Sequence, residues 1–236
     1  MLTQKEQTLK DNIQRLNRLL GPDHLSVADA LVSLGLNQLE AGEADEAERC
    51  FRQALEIRQA ALDAEDETIT QLKYYIGRTF FERGDYSAAM EAYKSCIDAY
   101  EEECRPEDNF LATVLDALAS LHHDRDNYEQ AEPLLKRALF IRLCVLEPLD
   151  AAIAESLNHL GWLYSQNGEM DKAEHLFLCA LDIWISAIGL EHANTAMCLE
   201  NYAYVLSKTG RLKEANQLMD KVEMIRSRRT RASEAQ

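Results

Sequence analysis

Few residues in this chain are of the kinds that do covalent chemistry, and their spacing argues against it. His122-His123-Asp124 brings together the right types for a metal site. Successive helical residues point about 100° apart, so His122 and His123 do not easily share one ion. His122 also falls in the slot held elsewhere by Phe80 and Tyr164, a packing position. The six cysteines, Cys50, Cys96, Cys104, Cys144, Cys179 and Cys198, form no C-x-x-C pair. Most lie in apolar helical stretches, where free Cys acts as a small hydrophobe. The sequence therefore predicts no disulfides and a reducing, cytoplasmic setting. It holds no Gly-rich phosphate loop, no nucleophile elbow and no paired-acid constellation. The expectation is a chain that is not an enzyme and uses no cofactor or metal.

The remaining chemistry is recognition. Tyr74, Arg78, Phe81, Asn158, Trp162 and Tyr204 recur on one helical stripe in successive stretches of the chain. Asp116, His123 and Glu200 fall on the same stripe. Aromatic rings offer flat surface to desolvate, and an amide can bond a peptide backbone. On sequence grounds Asp116 and Glu200 would favour a basic residue in whatever binds there.

These residues are positioned by a repeat. Gly42-Glu43-Ala44-Asp45-Glu46-Ala47 returns at 84, 126, 168 and 210, always 42 residues on. An ungapped period in this range marks a stacked array of helix pairs. In the first unit the pair falls roughly at 25–41 and 45–62. Small residues recur where two helices cross closely: Gly35, Gly77, Ala119, Gly161 and Ala203. The second helix answers with Phe51, Tyr93, Leu135, Phe177 and Met219. Asp45, Ser87 and Asp171 are the expected N-caps of second helices. Repeat 5 carries Val222 and Glu223 where repeat 4 has Ala180 and Leu181, which predicts a loosened last unit.

Composition narrows the partner. Apolar content is 47% and only four prolines occur, so the chain is not disordered overall. Net charge is −16, and residues 40–108 hold 19 acidic against 8 basic side chains. Such a body repels phosphate backbones and anionic lipid, so neither nucleic acid nor membrane is an expected partner. A basic protein or peptide surface is favoured, with weak homo-oligomerisation as a further expectation.

Residues 1–20 read as an amphipathic capping helix, opened by a Thr3/Glu6 capping box and carrying Leu9, Ile13, Leu16 and Leu20. Five repeats follow over 21–226, at about 21–62, 63–104, 105–146, 147–188 and 189–226. Residues 227–236 contain no large apolar side chain and predict a disordered basic tail, free to dock on a neighbouring molecule's acidic repeats.

The pattern resembles the tetratricopeptide repeat, in the 42-residue form of kinesin light chains. Gly21-Pro22-Asp23-His24, Ala54-Leu55-Glu56-Ile57-Arg58, the stretch from Ala131 to Leu139, and Leu157-Asn158-His159-Leu160-Gly161 carry the resemblance. It implies an all-α fold: an α-solenoid, a right-handed superhelix of five helix pairs behind an N-terminal capping helix. It also implies that the stripe of Tyr74, Arg78, Phe81, Asp116, His123, Asn158, Trp162, Glu200 and Tyr204 lines a concave groove that holds a peptide or helix of a partner protein. A self-associating scaffold, or a regulatory module of a larger protein, is the alternative. Eight residues beyond the usual unit would deepen that groove by about 12 Å of helix.

Overall fold

The computed structural model describes residues 4–102, 108–125 and 127–234. Thr3, Cys104, Pro106 and the last two residues lie outside this set. Eleven helices follow one another: α1 (Gln4–Leu20), α2 (Leu25–Glu40), α3 (Ala44–Ala61), α4 (Glu67–Glu82), α5 (Tyr86–Glu102), α6 (Asn109–His123), α7 (Tyr128–Val145), α8 (Ala151–Gln166), α9 (Met170–Ala187), α10 (Ala193–Lys208) and α11 (Leu212–Glu234). No strand occurs among the described residues. The helices fall into two compact units, Met1–Pro106 and Glu107–Gln236.

The pairs α2–α3, α4–α5, α8–α9 and α10–α11 are bent by the same backbone device. A glycine in the left-handed region ends the first helix, as at Gly42 (φ +78°) and Gly168 (φ +82°). The next amide then reaches back to the last turn: Glu43 N–H donates to the Gln38 carbonyl at 2.8 Å and Glu169 N–H to Tyr164 at 2.8 Å. This closes the orphan carbonyls of the first helix. It also moves the start of the second helix. Asp45, Ser87 and Asp171 lie inside helices rather than at N-caps. Asp45 instead pairs with Arg83 at 2.8 Å, and Asp85 accepts from Ala88 N–H at 3.1 Å. The turn's own hydrogen bonds set the boundary, so the residue type two positions later does not.

The first helices are capped by side chains in one register. Asp66, Asp108 and Asp150 accept from the amides of Thr68, Phe110 and Ala152 at 2.9, 2.7 and 2.8 Å. In the outer repeats His24 and His192 do the same through Nδ1, at 3.1 and 3.2 Å. Either chemistry satisfies an N-terminal amide that the helix cannot.

Packing follows the small–large pattern. In unit 1, Val27, Ala28, Leu31, Phe51, Ala54 and Leu72 form a buried core. A Cβ on Gly35 would stand 2.6 Å from the Phe51 ring, and one on Gly77 would stand 2.8 Å from Tyr93. In unit 2, Leu160, Leu163, Phe177, Ala180, Trp184 and Leu199 are central, and Gly161 meets Phe177 in the same way. The two buried thiols, Cys96 and Cys198, have pKa values pushed up to about 12 by burial. Cys144 and Cys179 are exposed, unlike the core positions expected of them; all five described cysteines are free.

The last helix differs from expectation at both of its ends. Val222 and Ile225 are buried, so the pair α10–α11 has a core despite Glu223. α11 then continues through Glu234 where a disordered tail was expected. Residues 211–236 contain neither Gly nor Pro, and Ala, Arg and Glu favour helix. Arg226 and Arg228 also reach back to Glu200 and Glu191. These arginines are thus engaged within the chain rather than held free for a neighbour.

Candidate functional site

The site is clearest in unit 2, where α8 lies against both α6 and α10. His123 ends α6, Trp162 sits late on α8, and Tyr204 occupies the slot of Trp162 on α10. Their rings form a row. His123 and Trp162 have centroids 6.4 Å apart, and Trp162 and Tyr204 5.7 Å apart. Tyr128 extends the row beyond His123 at 5.5 Å, edge to face. Lys208 closes the other end, its ammonium 5.2 Å from the centre of the Tyr204 ring. All three central rings are half-buried. Between α6 and α8 the row frames a cleft of about 190 Å³. Ala119, Leu135 and Leu163 line it together with Ser120, His123, Asp124, His159 and Trp162.

The polar members of the stripe stand one turn before Trp162 and Tyr204 and two turns before His123, and each is already engaged. Asp116 is buried with Arg142, which reaches in from α7 and also donates to Ser156 on α8. The second oxygen, Asp116 Oδ1, lacks a hydrogen bond but is closed off from solvent. Asn158 is buried, and its Oδ1 accepts from Asn201 Nδ2 at 3.0 Å. Glu200 takes Arg226 on both oxygens, at 2.6 and 3.4 Å. The carboxylates expected to receive a basic residue therefore already have cations from their own chain. His159 joins this group, its Nδ1 3.8 Å from Asp116 Oδ2. Burial opposes a charge on His159, but Asp116 and then Glu155 outweigh it, and its pKa lies above the ordinary histidine value.

In unit 1 the stripe members behave differently. Tyr74 is buried, its ring tilted against Tyr75 at 5.5 Å and Tyr93 at 5.6 Å, so it packs the core. Phe81 is half-buried against Tyr86 at 5.6 Å. Arg78, one turn on from Tyr74, is also half-buried.

Arg142 was missed from sequence. The signal was present in the repeat: Arg58, Tyr100, Arg142, Trp184 and Arg226 share one 42-residue register. Arg58 ties its own first helix to the next repeat, bonding Asp29 at 2.6 Å and the Thr68 carbonyl at 3.2 Å. Arg142 repeats that arrangement at the next junction but one, and in the slot between repeats 4 and 5 Trp184 is fully buried instead.

The comparisons agree with this architecture. A tetratricopeptide repeat family model matches residues 6–60, 68–143, 110–186 and 152–226. No curated relative matches. Among solved structures, the chain is similar to BtubC (BKLC) from P. vanneervenii, at 20% identity over 96% of this chain and 90% of that one, with a TM-score of 0.79. It is similar also to a putative kinesin light chain of Podosopora anserina, at 20% identity, 88% and 98% coverage and a TM-score of 0.70. The apo form of RapI matches at 17% identity, 86% and 71% coverage and a TM-score of 0.71. With the repeat, the helix pairs and the family model in agreement, the chain belongs to the tetratricopeptide repeat family.

Proposed function

We propose that the chain is a protein-interaction module whose binding surface is the ring row of α6, α8 and α10. The observation that carries this reading is the row itself: three half-buried rings on three successive first helices, next to an open cleft of mixed apolar and polar lining. A ring that only packed the core would be buried as Tyr74 is. A half-buried ring costs hydration that a partner's side chains can recover. The partner is a segment of another protein. The overall charge of −16 steers a positively charged partner from a distance, while contact at the row is made by rings. No catalytic role is assigned to the chain.

Selection of peptides from a random displayed library, followed by calorimetry of the selected peptides, tests the reading. Trp162→Ala should weaken binding about thirtyfold, equivalent to about 2 kcal/mol, as truncation of a central aromatic does. Glu43→Ala, remote from the row, should change it less than about twofold. Equal affinities for wild type and Trp162→Ala would place the binding surface elsewhere.

A further inference from the structure

Several rings of this chain already hold a cation. In unit 1 the Arg83 guanidinium stands 5.1 Å from the centre of the Phe80 ring and pairs with Asp45 at 2.8 Å and Glu48 at 2.7 Å. In unit 2 the Lys172 ammonium stands 4.8 Å from the centre of Tyr164, and that of Lys208 5.2 Å from the centre of Tyr204. At Arg83 a ring quadrupole and two carboxylates act on one positive charge.

The cleft beside Trp162 has the ring and the carboxylate but not the cation. The slot that Lys208 fills after Tyr204 is held after Trp162 by Gln166. Among the described residues no Lys or Arg stands over the Trp162 ring. Asp124 lines the same cleft, and its side chain is 42% exposed. It faces His123 Nδ1 at 3.4 Å, longer than a well-formed charge-assisted hydrogen bond. Asp116 and Glu200, by contrast, are held by Arg142 and Arg226. Ser120 adds an acceptor to the lining: its Oγ donates to the Asp116 carbonyl at 3.0 Å and keeps its own lone pairs. His159 lines the cleft too, but its Nδ1 lies 3.8 Å from Asp116 Oδ2, so any charge it carries is answered there. Glu155, one turn before His159, is exposed and adds to the negative potential.

A guanidinium suits this set better than an ammonium. It is planar and weakly hydrated, so it stacks on a ring while its in-plane N–H groups donate to a carboxylate and a hydroxyl together. The scale agrees. A cleft of about 190 Å³ is smaller than the roughly 300 Å³ at which sites for whole small molecules begin, and matches a single side chain.

Resting on the function proposed above, we infer that the cleft between α6 and α8 receives one arginine side chain of the partner segment, stacked on Trp162 and donating to the Asp124 carboxylate and the Ser120 hydroxyl.

The probe is the capped peptide acetyl-Gly-Gly-Arg-Gly-Gly-amide, titrated into isotope-labelled protein and followed by amide and indole chemical shifts. The titration is run at pH 8 to keep the charge on His159 low. The comparison peptide carries citrulline, which keeps the shape of arginine without its charge. The arginine peptide should give saturable shifts at Ser120, Asp124 and the Trp162 indole, with a Kd on the order of 1 mM. The citrulline peptide should bind at least about tenfold more weakly, and so should the arginine peptide to Asp124→Asn, each having lost a charge-assisted bond. Trp162→Leu should weaken the arginine peptide at least about threefold by removing the ring. Shifts scattered over acidic helices with none at the cleft, equal affinity for the citrulline peptide, or full affinity in Asp124→Asn would overturn the inference. Library-selected peptides separate it from the reading it rests on. If they require Trp162 yet bind unchanged once their arginines become citrulline, the arginine pocket falls and the ring row stands. If they do not require Trp162, the ring row falls as well.

Discussion

Gly35 and Phe51 are in contact so close that the Cβ Gly35 lacks would lie 2.6 Å from a carbon of the Phe51 ring. The same register pairs Gly77 with Tyr93 and Gly161 with Phe177, but Ala119 with Leu135; in the last repeat Met219 holds the ring's slot and is exposed. Glycine accompanies an aromatic ring and alanine a flexible aliphatic chain: the two helices hold their spacing, and the volume is divided differently between them. Gly35→Ala should therefore destabilise the protein by about 1–3 kcal/mol through overpacking, although alanine is the better helix former. Adding Phe51→Leu, which copies the repeat-3 pair, should recover part of that loss. Urea denaturation of the two single variants and the double variant measures it; a Gly35→Ala protein more stable than wild type would contradict the packing argument.

Arg142 and Asp116 form a buried pair that joins α6, α7 and α8. Removing one partner strands the other charge away from water. Arg142→Ala should cost about 3–5 kcal/mol. Replacing both with apolar residues, Asp116→Leu with Arg142→Met, should cost much less, because no charge is then left unpaired. The exposed pair of Arg226 with Glu200 is the contrast: Arg226→Ala should cost less than about 1 kcal/mol. Comparable losses for Arg142→Ala and Arg226→Ala would show that burial does not separate them.

His159 makes stability depend on pH. Asp116 and Glu155 raise its folded-state pKa despite burial. A raised folded pKa means a contribution fully present below the unfolded histidine value of about 6.5, and lost as pH rises through the folded value. The stability difference between wild type and His159→Gln should therefore be largest below about pH 6 and shrink towards pH 8 and above. Chemical denaturation across that range provides the check, and a difference that grows with pH would reverse the assignment.

Asp66 works in the opposite direction at acid pH. Hydrogen bonds from the Thr68 hydroxyl and amide hold its carboxyl below the usual range. A depressed folded pKa gives stability that is present above the unfolded value of about 3.9 and lost as pH falls through the folded one. The gap between wild type and Asp66→Ala should narrow as pH drops from about 5 to 3. Guanidinium titrations at both pH values would show it, and an unchanged gap would mean the cap does not act through its charge.

Much of the fold was legible because the repeat is ungapped: once Gly42 is aligned with Gly84, Gly168 and Gly210, the helix pairs, their turns and the small–large contacts follow from one register. The ring row was legible for the same reason. Less legible was what each stripe residue faces. Tyr74, Asp116 and Asn158 share one slot, four residues before that of Trp162 and only about 40° away round the helix, yet they are buried and Trp162 is half-exposed. The engagement of Asp116 depends on Arg142 from the following helix and Ser156 from the one after, and that of Glu200 on Arg226 from the next helix. Such partners are set by packing across turns, which a stripe drawn on one helix does not show. The tail was misread because absence of apolar residues was taken as absence of structure, while α11 is anchored by arginines.

The two kinds of arginine contact make the junctions of unit 2 respond differently to ionic strength. Between α6, α7 and α8 the Arg142 contact is sealed from ions. Around α11 the links are exposed: Arg211 to Glu174 at 2.7 Å, Arg226 to Glu200, and Arg228 to Glu191. Counterions weaken the exposed set and leave the sealed one untouched. In an array whose stability is the sum of neighbouring junctions, raising salt then changes the order of unravelling as well as the total. α11, held increasingly by the apolar contacts of Ala215, Leu218, Val222 and Ile225, loosens first, and amide exchange along the chain acquires a gradient whose steepness is set by the medium.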